Sequence, residues 1–486
     1  MAGDLILAID QGTSATKCAL VDRAGAIVAR GRAPLGERHP QPGWVEQDAV
    51  ELWDSVRRAV ADCLDGQDAR RVDAVGLSTQ RESLVLWDRS SGEAVSPVIS
   101  WQDQRTGGIC DRLRSAETER LVRKRSGLPL DPMFSAAKAA WLLDAYDADR
   151  RRARAGALCL GTVDSWLLSR FSGEHLAEAG NASRTQLLDV RRAAWDDDLL
   201  DLFGVPRPTL PRVTASNGPF PAARGLSPLP DGVPLLAVMG DSHAALFAHG
   251  AFAPGRVKAT YGTGSSVMGL VAAPDALAPG LCLTIAWQLD RIAHAAEGNI
   301  RSAGSALVWL ASVLGMPVDA LMELGAGAES RGVVLVPGFG GLGAPWWDRH
   351  AVGLLSNLSL GTGRAELARA GLESVVQQVA DVVEALAAGG EVQELRTDGG
   401  PSGNDALMRM QADLLGLPVA RARDAELSAL GVAHMAGLEA GLWSRDELKR
   451  LPRLCDRFEP GGDPAWRAAA RRHWHGAVGR AAGGAA

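Results

Sequence analysis

The chain has 486 residues, of which 47% are hydrophobic and 22% charged, and its formal net charge is −6. This length predicts two or three domains, and the mild acidic excess argues against a nucleic-acid surface, which needs a basic face to neutralise phosphates. No apolar run reaches about 18 residues, so we predict no membrane span. The six cysteines form no CxxC pair, and buried reduced thiols in a cytoplasmic protein are the expected state.

Strand-like and helix-like segments alternate along the chain, which is typical of an α/β protein. The first unit is LILAIDQGTSATKCALVD, residues 5–22. Its apolar run stops at Asp10, a turn with Gly12 and two hydroxyls follows, and a second apolar run resumes. The pattern predicts two strands joined by a polar turn.

Further elements follow in chain order, with apolar positions at strand or helix spacing. They are a helix over 49–64 that Asp48 is placed to cap, strands over 72–79 and 232–242, a strand–turn–strand unit over 256–271, a helix over 371–386 and a strand–turn–helix unit over 392–416.

The unit at 256–271 repeats the pattern of 5–22 about half a chain later, with Gly and Thr at both turns. This predicts an internal duplication with two lobes that meet near residues 245–255. The tail beyond Trp466 ends in GRAAGGAA and is expected to be frayed. The predicted divisions are an N-terminal lobe over 1–247, a C-terminal lobe over 248–445 and an extension with a tail over 446–486.

Three strand-end turns carry the groups that bind phosphate, which are glycine-exposed backbone amides and Ser/Thr hydroxyls. They lie at 10–14, at 261–264 and at 398–400, with Asn404 beginning the helix after the third. Asp10 would suit Mg²⁺, which prefers carboxylate oxygens. One Gly–Thr turn alone is more often a plain hairpin, but three together favour a nucleotide site. The absence of GxxxxGK[ST] and of a helix after Gly338–Gly343 argues against P-loop and Rossmann sites.

Two strand ends carry charged groups suited to catalysis. Arg81 and Glu82 are placed to grip hydroxyls of a small polyol, one as donor and one as acceptor, and a surface ion pair is the alternative. Asp241 ends an apolar strand, where α/β proteins keep catalytic groups, and it equally suits a helix cap. The Asp241–Ser242 pair also matches part of an esterase nucleophile block, but His243 is adjacent in sequence rather than placed to support the serine.

To about residue 445 the chain resembles the FGGY family of carbohydrate kinases, and within it the glycerol kinases. The similar blocks stand in the family's order: AIDQGTS, STQRESLVLWDRSSGEAVSPVISWQDQRT, GLPLDPMFSAAKAAWLLD, GTVDSWLL, NASRT, ATYGTGS, GFGGLGAPWWD and DGGPSGNDALMRMQADLLG. The resemblance implies two FGGY-type lobes of the actin-like ATPase (ribonuclease H-like) α/β fold, with ATP, Mg²⁺ and acceptor in the cleft between them. It implies phosphorylation of a primary hydroxyl of a small polyol or ketose, as in glycerol kinases and xylulokinases. It also suggests a homodimer or homotetramer.

The resemblance gives roles to matching positions, and these roles are expectations. ATP would be bound by Thr13, Ser14, Lys17, Thr263, Gly304, Gly400 and Asn404; Mg²⁺ would lie at Asp10 and Asp241; the acceptor would contact Arg81, Glu82, Trp101, Met133, Ser242 and Ser266; and Asp241 would be the general base that takes the proton from the attacking hydroxyl.

Three positions depart from the glycerol kinase pattern. Met133 replaces a tyrosine, Ser242 a glutamine and Ser266 an aromatic ring. The pocket thereby loses a hydroxyl, an amide and a ring wall, and it gains volume. This favours a longer, more polar acceptor such as a tetritol, a pentitol or a ketose over glycerol. A glycerol kinase proper, a nucleotide-switched actin-like binding protein and a sugar sensor without activity remain alternatives.

Overall fold

The structure is a computed structural model that describes residues 4–482 of the 486-residue chain. The chain forms two compact units, each assembled from separate segments. The first contains the residues up to Gly250 with Leu283–His294 and Glu426–Pro452; the second contains Ala251–Cys282, Ala295–Ala425 and the residues from Arg453 onward. All six cysteines carry free thiols, and five of them are buried, as the scattered spacing predicted.

The strands range from two to nine residues, and the longest of those in the described residues is Ile292–Ile300. They are β1 Leu5–Gln11, β2 Ala15–Asp22, β3 Ile27–Pro34, β4 Glu46–Gln47, β5 Val72–Thr79, β6 Leu84–Asp88, β7 Val98–Ile99, β8 Leu158–Thr162, β9 Leu176–Glu178, β10 Leu188–Asp189, β11 Ala194–Trp195, β12 Arg212–Thr214, β13 Leu235–Gly240, β14 Arg256–Tyr261, β15 Ser265–Leu270, β16 Cys282–Gln288, β17 Ile292–Ile300, β18 Val334–Val336, β19 Leu354–Ser356, β20 Glu394–Asp398, β21 Val419–Ala422 and β22 Cys455–Phe458.

The helices alternate with these strands, as an α/β fold requires. They are α1 Ala49–Cys63, α2 Gly107–Leu113, α3 Ala116–Ser126, α4 Ser135–Tyr146, α5 Arg151–Arg154, α6 Val163–Ser172, α7 Ala179–Ser183, α8 Asp197–Phe203, α9 Asp241–Ala248, α10 Gly304–Leu314, α11 Val318–Ala326, α12 Arg364–Ala387, α13 Asp405–Leu415, α14 Leu427–Glu439, α15 Arg445–Arg450 and α16 Pro464–Ala482.

The main sheet of the first unit has the strand order β13–β5–β1–β2–β3. Strands β1, β2 and β3 form an antiparallel meander, and β5 and β13 run parallel to β1. Parallel strands end at the same edge of a sheet, so the carboxyl ends of β1, β5 and β13 meet there. Asp10, the Thr79–Glu82 segment and Asp241 all lie at this edge.

A seven-stranded sheet of order β16–β17–β15–β14–β20–β21–β22 repeats this arrangement in its strands from β17 to β21, most of which belong to the second unit. Strands β14, β15 and β17 form the antiparallel meander, and β20 and β21 run parallel to β14. Strand β22 adds an antiparallel edge. The shared order of three antiparallel strands followed by two parallel ones is the duplication that the two similar hairpins predicted.

Helix α1 shows how sequence pattern and packing agree in the first unit. Asp48 caps it by accepting from the backbone N–H groups of Val50 and Glu51, as predicted. Its apolar stripe, which includes Leu52 and Val56, is fully buried in one core with the β1–β5 strands. The predicted helix over 371–386 is longer in the structure, because α12 begins at Arg364.

The expectation of a frayed C-terminal tail is wrong for the residues that the structure describes. Helix α16 continues to Ala482, with Trp474 only 2% exposed. Trp474 Nε1 donates to Asp381 on α12 (2.9 Å), and Arg471 Nε donates to Glu384 (2.7 Å). Trp474 and Arg471 thus attach this Gly- and Ala-rich helix to α12 of the second unit.

Within residues 4–482 we find no individual helix with the length and apolar character needed to cross a bilayer. Helices α10 and α11 meet those two criteria only when taken together, across a bend of 96°.

Candidate active site

The turn between β1 and β2 is fixed by its own backbone and by one distant side chain. The Gly12 N–H donates to the carbonyl oxygen of Ala15 (3.0 Å). The indole N–H of Trp101 donates to Thr13 Oγ1 (3.0 Å). Thr13 is half-buried and Ser14 is exposed, so the hydroxyl of Ser14 is directly open to solvent. The turn therefore presents hydroxyls and a glycine-exposed backbone, which are the groups that bind phosphate oxygens.

Asp10 precedes this turn at the carboxyl end of β1. Its Oδ1 accepts from the hydroxyl of Ser78 on the neighbouring strand β5 (2.9 Å). Burial, followed by the negative charge of Asp241, raises the pKa of Asp10 to about 7. Lys17 Nζ forms an ion pair with Glu426 Oε2 (3.2 Å), which also belongs to the first unit. This edge of the sheet therefore carries the carboxylates of Asp10 and Asp241, with Lys17 beside them.

Arg81 and Glu82 are not the surface ion pair that their adjacency allowed, because they are only 6% and 5% exposed. Each pairs with a different residue. Arg81 Nε lies 3.3 Å from Asp241 Oδ1, and Glu82 Oε1 accepts from Arg184 Nε (2.5 Å). Glu82 has φ of 63°, in the left-handed region that non-glycine residues rarely adopt. The structure therefore holds this charged segment in one strained geometry.

Asp241 is the first residue of α9, directly after β13. Gly240 occupies the cap position, so the cap alternative for Asp241 does not describe this helix. The Asp241 side chain is 37% exposed and its Oδ1 accepts from the Ser242 N–H (2.6 Å). A carboxylate that is fixed on one side and open on the other is suited to accept a proton from a bound ligand.

The remaining first-unit candidates lie on two segments near this edge. The Trp101 backbone N–H donates to Ser83 Oγ (3.0 Å), next to Glu82 in sequence. The Met133 backbone N–H donates to Asp131 (3.0 Å), and the carbonyl oxygen before Met133 accepts from the buried Lys138 Nζ (2.7 Å). Burial lowers the pKa of Lys138 to about 8. Ser242 is half-buried beside Asp241.

The second unit carries its own turn between β14 and β15. The Gly262 N–H donates to the carbonyl oxygen of Gly264 (2.8 Å). The start of α10 closes over it, because the Gly304 N–H donates to the Gly262 carbonyl oxygen (2.9 Å) and Ser305 donates to the Thr263 carbonyl oxygen (3.0 Å). A side-chain Cβ on Gly304 would lie 2.5 Å from the Gly262 carbonyl oxygen, so only glycine fits there.

The third predicted turn belongs to the same unit. Gly399 has φ of 90°, and a Cβ there would lie 2.0 Å from the Tyr261 carbonyl oxygen. Gly400 begins a 3₁₀ turn, and Asn404 caps α13 by accepting from the Leu407 N–H (2.9 Å). Strands β14 and β20 are paired in parallel, so the structure brings the turns after them together within this unit.

Ser266 lies one strand position beyond the second turn. Its hydroxyl donates to Glu297 Oε1 (2.7 Å), which also accepts from Asn299 Nδ2 (3.1 Å). Glu297 is completely buried, and Ser266 is half-buried and paired across the strands with Asn299. The substitution of serine for a ring therefore places a polar row on this face of the sheet.

Sequence reasoning missed several residues that organise these sites. Gln47 and Gln80 are buried, and they contact each other and the turn at residues 10–14, which we call the phosphate turn. Arg184 donates to Glu82. Gln80 had a weak signal, since it precedes Arg81 at a strand end. Gln47 and Glu297 had none, because a single polar residue becomes informative only when its distant partners are known.

Family models match both halves of the chain. Residues 5–248 match the N-terminal domain of the FGGY family of carbohydrate kinases, and residues 257–440 match the C-terminal domain of that family.

Curated relatives are similar over almost their full lengths. An apulose kinase of Pectobacterium atrosepticum is 43% identical over 98% of this chain and 98% of its own length. A glycerol kinase of Aromatoleum aromaticum is 44% identical over 98% of this chain and 99% of its own.

Solved structures share the fold. The structure of Plasmodium falciparum glycerol kinase with ADP superposes with a TM-score of 0.90 at 26% identity, covering 99% of this chain and 98% of that one. A ligand-bound xylulose kinase from Lactobacillus acidophilus has a TM-score of 0.90 at 20% identity, with 99% of both chains covered.

Proposed function

Because the chain belongs to the FGGY family of carbohydrate kinases, and is therefore an ATP-dependent kinase of a small carbohydrate or polyol with the two-unit actin-like fold, we propose that it phosphorylates a primary hydroxyl of a small polyol or ketose. We assign base catalysis, most acceptor contacts and part of the ATP-phosphate binding to residues 1–247, nucleotide binding to residues 248–445, and an extension to residues 446–486. A homodimer or homotetramer is part of the proposal.

The geometry around Asp241 is the observation that carries the proposal. Its carboxylate is fixed by the Ser242 N–H and by Arg81, yet more than a third of the side chain is exposed. In the proposed role it accepts the proton of the attacking hydroxyl, a contribution of about 10²–10⁴-fold in such reactions. Arg81 and Glu82 orient the acceptor, because their own ion pairs leave them little freedom to move.

Phosphoryl transfer depends mainly on positioning and on offsetting the charge of the transferred group. We assign ATP-phosphate contacts in the first unit to Thr13, Ser14 and Lys17. The turn residues of the second unit are assigned to the nucleotide on the same grounds of hydroxyls and glycine-exposed amides: Thr263, Gly304, Gly400 and Asn404.

The residues present fit a Mg²⁺ ion. Asp10 and Asp241 offer hard carboxylate oxygens, and the charge of Asp241 contributes to the raised pKa of Asp10. A divalent cation held by these two carboxylates would relieve that repulsion. When bound, it would offset negative charge on the ATP phosphates.

The acceptor is the part of the proposal that similarity alone does not decide, since an apulose kinase and a glycerol kinase are equally similar to the chain. Met133, Ser242 and Ser266 are assigned to the acceptor pocket. The polar row at Ser266 supports an acceptor with more hydroxyl or carbonyl groups than glycerol, because a pocket wall of hydrogen-bonding groups is poorly matched to a three-carbon chain.

Coupled ADP release across glycerol, erythritol, xylitol, xylulose and apulose tests the assignment. We expect the four- and five-carbon acceptors to exceed glycerol in kcat/KM by roughly tenfold or more. The variant Ser266→Phe should shift this ratio towards glycerol, because the ring refills the pocket. A wild-type preference for glycerol would identify a glycerol kinase proper. ATP binding without turnover of any acceptor would contradict the proposed function.

A further inference from the structure

A closed ring of hydrogen bonds joins the phosphate turn to the acceptor segment of the first unit. Trp101 Nε1 donates to Thr13 Oγ1 (3.0 Å), and Gln47 Nε2 donates to the Thr13 carbonyl oxygen (2.5 Å). Gln80 Nε2 donates to Gln47 Oε1 (3.0 Å), and Ser83 Oγ donates to Gln80 Oε1 (2.8 Å). The Trp101 backbone N–H closes the ring on Ser83 Oγ (3.0 Å). We call these five residues the glutamine ring.

Three of the five members of the ring are shielded from water. Gln47 and Ser83 are completely buried and Gln80 is 1% exposed. Gln80 Nε2 also donates to Gln11 Oε1 (3.1 Å), which ties the ring to the end of β1. Buried amides without partners are costly, so a displacement of one member leaves its neighbours unsatisfied. The ring should therefore move as one body or not at all.

The ring also sets the direction of one hydroxyl. A threonine hydroxyl has one hydrogen and two lone pairs. Because the Trp101 indole donates to Thr13 Oγ1, it occupies a lone pair and leaves the hydroxyl hydrogen to be donated elsewhere. A phosphate oxygen is an acceptor that this hydrogen can satisfy. Trp101 thus acts on Thr13 as a positioning residue, in addition to any contact with the acceptor.

The ring spans two groups of residues with different assigned roles. Thr13 belongs to the phosphate turn, and Trp101 belongs to the acceptor set. Gln80 and Ser83 flank Arg81 and Glu82 directly in sequence, so the buried hydrogen bonds hold both ends of the acceptor-gripping segment.

We propose that the glutamine ring couples the two substrates, so that an acceptor bound at Trp101, Arg81 and Glu82 strengthens the binding of ATP phosphates at Thr13. The inference rests on the proposed function, because it takes the roles of Thr13 and Trp101 from it. Coupling of this kind is reciprocal: ATP must strengthen acceptor binding by the same factor. Gln47, which touches neither substrate in this assignment, is a positioning residue.

The test measures the affinity for a non-hydrolysable ATP analogue by calorimetry, without acceptor and with the best acceptor of the panel at saturation. We expect the wild-type protein to bind the analogue at least about fivefold more tightly with acceptor present, the lower end of usual coupling. Gln47→Leu removes both of its ring hydrogen bonds and should reduce this ratio to near one. Gln377→Leu is the matched control, since Gln377 is a buried glutamine of the second unit that accepts from Arg471 (2.6 Å).

A double-mutant cycle gives a second readout that does not depend on Gln47. Trp101→Phe keeps an aromatic side chain but loses the indole N–H, and Thr13→Val loses the hydroxyl. If the indole acts through Thr13, both single variants weaken analogue binding without acceptor, and the double variant is no worse than Thr13→Val. Additive effects, or a Trp101→Phe effect confined to the acceptor KM, would overturn the proposal.

Two other results would overturn it. One is a wild-type coupling ratio of one in a protein that phosphorylates its acceptor; the other is an equal ratio in wild type, Gln47→Leu and Gln377→Leu. These failures are distinct from failure of the proposed function, in which the wild-type protein turns over no acceptor of the panel. Thermal melting of each variant identifies misfolding, and the Thr13→Val and Trp101→Phe pair keeps the test decisive if Gln47→Leu does not fold.

Discussion

The two hairpin turns of the molecule have the same scaffold and different chemistry. Each joins the first two strands of an antiparallel meander, and each lies beside a parallel strand. In the first unit the turn follows Asp10, and side chains such as Trp101 and Gln47 add contacts to its own backbone hydrogen bonds. In the second unit the turn follows Tyr261, and its contacts come from backbone groups at the start of α10.

The difference shows that the two copies of a duplicated fold can carry different chemical groups at equivalent turns. The first turn carries a carboxylate and hydroxyl groups, which can take part in proton and cation chemistry. The second turn is neutral and closely packed: a Cβ on Gly264 would lie 2.3 Å from the Ile300 carbonyl oxygen, and one on Gly304 would lie 2.5 Å from the Gly262 carbonyl oxygen. We interpret the first turn as the reactive one and the second as a rigid cradle for the nucleotide.

The strongest way to break this interpretation is to remove the base from the reactive unit. We expect Asp241→Asn to lower kcat by about 10²–10⁴-fold, because the amide cannot accept the hydroxyl proton. Binding of the ATP analogue should persist, since the second turn is untouched. Coupled ADP release and calorimetry measure the two quantities. Near-normal turnover in Asp241→Asn would show that the catalytic base lies elsewhere.

The contrast between the turns also explains which features the sequence could predict. Both hairpins, the strand before Asp241 and the Asp48 cap were predictable because they depend on residues close together in the chain. The candidate site residues at the turns were recognised for the same reason, because short glycine and hydroxyl motifs carry their meaning locally. Their roles remain predictions until variants are measured.

The remaining features depend on partners that are far apart in the chain. Arg81 and Glu82 read as one ion pair, yet they contact Asp241 and Arg184, which lie more than a hundred residues away. The two residues lie in a bend between β5 and β6, where Glu82 has a left-handed φ, so their adjacency in sequence does not predict pairing. Helix α16 was missed because its composition resembles that of a tail, and its contacts with Asp381 and Glu384 on α12 depend on residues far away in the chain.

A smaller effect tests the rigid cradle. In Gly304→Ala the new Cβ would lie 2.5 Å from the Gly262 carbonyl oxygen, whereas in Gly12→Ala it would lie 3.2 Å from the Ala15 carbonyl oxygen. Gly304→Ala should therefore lower stability by about 1–3 kcal/mol and raise the KM for ATP. Gly12→Ala is the matched control in the other turn and should be milder in both measures. Equal effects in thermal melting and kinetics would contradict the distinction between the turns.

The smallest predicted effect concerns stability and pH, and it concerns only the acidic turn. Burial and the charge of Asp241 raise the pKa of Asp10 to about 7, whereas in the unfolded chain it returns to about 4. Because the folded-state pKa is raised, this contribution to stability is fully present below about pH 4 and is lost as the pH rises through about 7. In Asp10→Asn the group does not ionise, while the side-chain oxygen facing Ser78 is kept.

The melting temperature of Asp10→Asn, measured with chelator and without nucleotide, should match wild type at pH 4 and exceed it increasingly as the pH rises, by on the order of 1–3 °C at pH 8. This gain in melting temperature should accompany a loss of kinase activity, since Asp10 destabilises the folded state when ionised but is needed for the reaction in the proposed function. The difference in melting temperature between Gly304→Ala and wild type should not depend on pH, because the second turn contains no acidic residue. If the melting temperatures of wild type and Asp10→Asn changed in parallel across this pH range, the site would not disfavour the ionised form of Asp10. The proposed contrast between the two turns would then lose its electrostatic basis.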